Sequence, residues 1–164
     1  MIVAIGAVVK AGVAPSTYPV ATVGFNYTEK PIYWFGVITA EGQCGNDAGG
    51  KRPGTVYLLG NGITHGCMVR SGETATVKWE FDQPYSDVLK KVPMESHQVT
   101  VTIPQPETRD SGYLQVHFLS GNRVVLDWRD NFADSRVDPV SGKIIDLHDA
   151  YIDPDTGRPT PFKH

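Results

Sequence analysis

The sequence predicts an all-β protein: a two-sheet β-sandwich, Ig-like or transthyretin-like, with at most one short helix and an irregular C-terminal tail. Three observations carry this. About eight or nine short runs show strand patterning, turn signals fall roughly every ten residues between them, and no stretch is patterned as a long amphipathic helix. The 164 residues suit one domain, 1–164, with 129–164 as a turn-rich acidic extension.

Taken in order, Ile2 to Val9 is an apolar run too short to cross a bilayer and without the basic start of a signal peptide, so it reads as a first strand. Ala21, Val23, Phe25 and Tyr27 alternate with Thr22, Gly24, Asn26 and Thr28, the period of a strand with one buried face. Ile32 to Ala40 is apolar at nearly every position and should be covered on both faces, paired with the strand before it through a tight turn. Glu41 to Gly54, rich in Gly, Asn and Asp, reads as a long loop, and such loops are often functional.

Thr55 to Leu59 and Thr64 to Arg70 are the next strands, parted by Gly60-Asn61-Gly62. The clearest alternation is in Thr74 to Asp82, where Ala75, Val77, Trp79 and Phe81 share the core face. Ser86 to Lys91, between two prolines, is a turn or two of helix with Ser86 as its N-cap. Val99 to Ile103 is a strand, and Leu114 to Phe118 with Val124 to Trp128 forms a hairpin around Ser120-Gly121-Asn122. In the tail, Asp138-Pro-Val-Ser-Gly-Lys143 returns as Asp153-Pro-Asp-Thr-Gly-Arg158, which spells two turns more readily than a cation site on Asp153 and Asp155.

Charge narrows the partners. Asp127 to His164 holds eight Asp against five Lys or Arg, while the remainder balances ten acids with ten bases. Clustered basic residues are what nucleic acid and anionic bilayers require, so neither is expected as a partner. No transmembrane segment is expected in this chain.

The two cysteines, Cys44 and Cys67, are 23 positions apart. Compartment and spacing favour a disulfide over two unrelated buried thiols, and a bridge would place the protein outside the cytoplasm. No cysteine precedes Cys44, so any export signal or lipid-attachment cysteine would lie upstream of the residues shown.

No serine sits in a Gly-x-Ser-x-Gly elbow, and neither a phosphate loop nor a His-Glu-x-x-His pair occurs. His65 and Cys67 share a strand face but two ligands do not make a zinc site. His117, beside Tyr113 and Gln115, reads as part of a solvated β face, and Glu80 with Asp82 as alternating acids on a wet strand rather than a carboxylate pair. Asn26-Tyr27-Thr28 matches a glycosylation sequon inside a patterned strand, which argues against its use. The expectation is therefore no catalytic centre and no cofactor.

Binding is expected from the surface. Tyr33, Trp34, Tyr57, Trp128 and Arg129 are of the types that dominate hot spots. Loop length and charge select Gln43, Asn46, Asp47, Lys51 and Arg52 in one loop, and Trp128, Arg129, Asp130, Asp134 and Asp138 toward the tail, as the partner-binding residues.

An ordered set of short motifs, Gly24-Phe-Asn-Tyr-Thr28, Ile32, Cys44, Gly49-Gly50, Cys67-Met-Val69, Gly72, Val77-Lys-Trp79 and Val116-His-Phe118, resembles a family of proteobacterial proteins, commonly lipoproteins, encoded beside phospholipase-type effectors of the type VI secretion system. Some members are regarded as immunity proteins. The resemblance implies a periplasmic domain that binds and inhibits a lipase or phospholipase effector. The chain departs from it in having Met68 where a second cysteine often stands. The rival readings are an adaptor that loads the effector and a carbohydrate-binding or adhesin-like module.

Overall fold

The computed structural model describes residues 16–46, 64–108, 112–131, 135 and 137–144, with the backbone of 151–152 and 159–160. The expected strands at Ile2 to Val9 and Thr55 to Leu59 lie outside the described residues, as does most of the second Asp-Pro turn of the tail.

Two four-stranded sheets face each other. One has the order β4-β1-β7-β8 and the other β3-β2-β5-β6, with β1 Tyr18–Asn26, β2 Ile32–Thr39, β3 Gly42–Asn46, β4 Thr64–Val69, β5 Thr74–Phe81, β6 Ser96–Thr102, β7 Gly112–Leu119 and β8 Arg123–Arg129. A small pair, β9 Tyr151–Ile152 with β10 Pro159–Thr160, stands apart from both. The expected all-β sandwich is what the chain forms. Among the described residues no helix is long and apolar enough to cross a membrane.

The core lies between the sheets. Alternation in β5 sends Ala75, Val77, Trp79 and Phe81 inward, as expected, where they meet Phe35 and Val37 of β2 and Leu114, Val116 and Phe118 of β7. Phe118 is the bridge, 5.3 Å from the Phe35 ring and 5.5 Å from that of Trp79. Rings at these separations add to what burial alone contributes.

Three expectations are corrected here. β2 does not pair with the strand before it; β1 joins the opposite sheet and β2 lies between β3 and β5. Its apolar run reflects a central position, which the sequence did show, but strand neighbours are a long-range choice. The stretch read as a loop from Glu41 opens with β3, hydrogen-bonded to β2 around the turn at Ala40-Glu41. The helix is α1, Tyr85–Leu89, and its N-cap is Pro84, with no side-chain cap, so Ser86 is inside it.

Cys44 on β3 and Cys67 on β4 form a disulfide with Cα atoms 5.4 Å apart. Because β3 edges one sheet and β4 the other, the bond staples the two sheets along one side of the sandwich. Closing a loop of this length is worth about 3 kcal/mol in the chain-entropy model. Titration of the denatured, unreduced protein should find no free thiol at either cysteine, and reduction should lower the unfolding free energy by about that amount.

Gly112 opens β7 with φ +113°, and a Cβ there would stand 2.4 Å from the Arg129 carbonyl oxygen. Both facts exclude a side chain at the entry to the β7–β8 pairing. Gly112→Ala should destabilise by more than about 1 kcal/mol, read from the denaturant midpoint at unchanged m-value.

Candidate functional site

Each strand of a sandwich has an outward face that is normally wet. Sheet β4-β1-β7-β8 departs from this at its centre. β1 and β7 run parallel, in register from Val20 opposite Gly112 to Asn26 opposite Phe118, and both faces of each are buried over most of their length. On the side away from the main core lie Ala21, Val23 and Phe25 of β1, Gln115, His117 and Leu119 of β7, and Asp127 and Arg129 of β8.

The tail covers part of that face. Ser135 Oγ accepts from the Tyr27 hydroxyl at 2.9 Å, Arg123 donates to the Val140 carbonyl at 2.8 Å, and Gly142 packs against Leu119 and Val125. Val137 is fully buried and bridges to Ile144. The polar groups beneath are organised. Gln115 Nε2 donates to the Asn131 carbonyl, which turns its Oε1 toward His117 Nε2 at 3.2 Å. An amide oxygen only accepts, so the proton of neutral His117 sits on Nε2. Its Nδ1 meets no hydrogen-bond partner among the described residues.

His117 also stacks on Phe25, centroids 4.6 Å apart, with Tyr27 beyond at 6.0 Å. The solvated face expected around His117 is therefore a buried one. Burial pushes its pKa down to about 3, opposed by the charge of Asp127 and aided by that of Arg129. Burial likewise raises the Tyr27 pKa, against the hydrogen bond to Ser135. With no accessible surface, His117 serves as a neutral structural residue.

A proton on His117 is thus taken up by the unfolded chain near pH 6.5 and by the folded chain only near pH 3. The stability this group contributes is complete above pH 6.5 and is lost as the pH falls toward 3. Between pH 7 and 5 the loss should be about 2 kcal/mol, seen as a falling denaturation midpoint, and His117→Gln should remove that part of the slope.

Of the expected partner-binding residues, the side chains of Gln43, Trp128, Arg129, Asp130 and Asp138 are among the described ones. Trp128 is fully buried in the core and Arg129 is buried with its guanidinium 3.0 Å from Glu107, so neither is a surface hot spot. Both carry the right residue types, but they lie on a strand covered on both sides. Asp138 is spent on its own turn, its Oδ1 accepting from the Val140 and Ser141 amides at 2.8 and 3.2 Å. Those bonds, that of the Ser141 hydroxyl first, hold its pKa below the usual range.

Asp130 is exposed; it accepts from the Thr108 hydroxyl and donates its backbone N–H to Glu107. Gln43 is exposed on β3. The two stand at opposite margins of the sandwich, Gln43 beside the disulfide and Asp130 beyond β8. Asn46 ends β3 opposite Phe35, while Asp47, Lys51, Arg52, Asp134 and Tyr57 lie outside the described residues, as does the side chain of His65.

Other candidates resolve locally. Cys67 is bonded to Cys44 and is neither thiolate nor ligand. Asn26 of the sequon is buried; its amide donates to the Lys30 carbonyl at 2.8 Å and its oxygen accepts from Thr28, which folds the turn into β2. Tyr33 is exposed, and Trp34 lies across Gly36, where a Cβ would meet its ring at 2.9 Å.

The most prominent surface feature went unread in the sequence. Helix α1 buries none of its residues, and Tyr85, Val88 and Leu89 are 75%, 50% and 66% exposed, with Val92 also exposed just after it. Behind it opens a groove of about 630 Å³ lined by Pro31, Phe81, Pro84, Asp87, Val92 and Pro93. Glu95 closes one end, held by Lys30 at 2.5 Å and His97 at 2.8 Å; those two partners, Lys30 first, lower its pKa. The available signal was the spacing of Tyr85, Val88 and Leu89 on one helix face between two prolines, with no core left for it to serve.

These features define the protein as a disulfide-stapled β-sandwich domain carrying an exposed apolar knuckle. Residues 25–126 match the model of a family described as a protein of unknown function, DUF3304, and the chain belongs to that family. No curated protein and no solved structure matches it.

Proposed function

We propose that the protein is an immunity protein of the type VI secretion type, which binds a lipase or phospholipase effector in the periplasm and inhibits it by covering the active-site cleft. The observation that carries this reading is the α1 knuckle. Three large apolar side chains of a short helix, Tyr85, Val88 and Leu89, and Val92 just after it stand in solvent between Pro84 and Pro93. Soluble proteins keep contiguous exposed apolar surface where something else covers it. A lipase cleft and its lid are apolar because they receive acyl chains, so a knuckle of this chemistry on a rigid sandwich is suited to plug one.

Two further points support the reading. The ordered motifs from Gly24 to Phe118 resemble proteins encoded beside such effectors. The Cys44–Cys67 disulfide suits an oxidising compartment such as the periplasm. Gln43, on the exposed end of β3, and Asp130 supply polar surface at the margins.

Co-expression with a candidate type VI lipase or phospholipase effector tests the proposal. The complex should co-purify and hydrolyse no lipid. Tyr85→Ala with Leu89→Ala should weaken binding at least tenfold, about 1.4 kcal/mol or more, with an unchanged melting temperature because neither side chain is buried. A lipase that stays active and does not co-purify rejects the reading, whereas a complex that forms with full lipase activity makes the protein an adaptor.

A further inference from the structure

Among the described residues, strand β6 is an edge of its sheet, with only β5 beside it. Edge strands present a row of unpaired N–H and C=O groups, and proteins usually blunt them with proline, lysine or a bulge. β6, Ser96-His-Gln-Val-Thr-Val-Thr102, has no proline and no charged Lys, Arg, Asp or Glu, and it pairs with β5 without a break from Ser96 opposite Glu80 to Thr102 opposite Thr74.

The parity of the bonds tells which groups are open. Phe81 N–H donates to the Glu95 carbonyl and Ile103 N–H to that of Glu73, so odd-numbered residues of this strand bond to β5. Ser96, Gln98, Thr100 and Thr102 therefore turn their backbone groups to the open edge, and all four side chains are exposed as well. The other edges carry some local ties. β3 and β4 are tied by the disulfide, and at β8 the Trp128 carbonyl accepts from Glu107 N–H at 3.0 Å while Asp130 N–H donates to the Glu107 carboxylate at 3.2 Å.

We propose that β6 is a strand-pairing surface for a second copy of this chain, antiparallel about a two-fold axis at Val99. Val99 is the midpoint of the strand, and the outward residues fall symmetrically around it. In this register Gln98 meets Thr100 of the other copy and Ser96 meets Thr102, so every outward N–H and C=O of β6 finds a partner. The side-chain pairs are polar and uncharged, with no like charges opposed. On the inner face Val99 meets its own copy at the axis and Val101 meets His97; all three are half-buried and gain cover. Because the strand carries no Lys, Arg, Asp or Glu, pairing with its own copy opposes no like charges while every outward backbone group is satisfied. The two sheets then continue as one, β3-β2-β5-β6 running into its symmetry mate.

Sedimentation equilibrium and light scattering of the full chain over a wide concentration range test this. The wild type should reach twice the monomer mass. Thr100→Pro should halve it with an unchanged melting temperature, since that N–H points away from β5 and proline is tolerated at an outward edge position. Gln98→Lys with Thr100→Lys should also give monomer, by setting lysines opposite each other across the axis. Gln98→Lys with Thr100→Glu should restore the dimer, by setting Lys opposite Glu, and this pair keeps the test decisive should the proline variant fail to fold. A wild type that stays monomeric at every concentration overturns the proposal, as does a dimer that none of these changes affects. A monomer whose binding to the lipase is lost in Thr100→Pro overturns it too and assigns the edge to a foreign strand.

Discussion

The arrangement of this protein depends on one constraint: the central strands of sheet β4-β1-β7-β8 are buried on both faces. A sandwich needs only one buried face per sheet, yet Phe25, Gln115, His117, Asp127 and Arg129 lie on the far side of this one and are closed to water. Burying polar groups unpaired costs more than a hydrogen bond contributes. The Asn131–Gln115–His117 chain and the Arg129–Glu107 ion pair offset most of that cost, although His117 Nδ1 has no partner among the described residues.

That constraint also gives the C-terminal extension a structural role. Ser135, Val140 and Gly142 contact the second buried face through Tyr27, Arg123, Leu119 and Val125. Charge selected Asp138 as a partner-binding residue, but it is committed to its own turn. Charge counted along a chain does not reveal which carboxylates are already satisfied by nearby backbone amides.

The two sheets divide the labour. Sheet β4-β1-β7-β8 is covered by the tail, whereas sheet β3-β2-β5-β6 retains the free surfaces, namely the apolar α1 knuckle and the β6 edge. The disulfide at the opposite margin holds the sheets together where β3 and β4 meet, so a partner bound at the knuckle, as proposed above, would not need to open the sandwich. Binding surfaces carried on a rigid scaffold lose less ordering entropy on association.

What the sequence by itself determined was local. Alternation marked β5 because an outward face that is wet imposes period two, it marked the β7–β8 hairpin although the polar members Gln115 and His117 are buried, and the spacing of the two cysteines favoured the bond they form. Which strands became neighbours, and what covers them, was decided only in three dimensions. The parallel pairing of β1 with β7 joins segments some ninety residues apart, and no period in either strand encodes it. The same holds for the candidate site: Trp128 and Arg129 looked like binding residues and went inside, while Tyr85 and Leu89 looked like a connector and stayed outside. Residue type sets what a side chain can do, but its exposure depends on where distant parts of the chain come to rest.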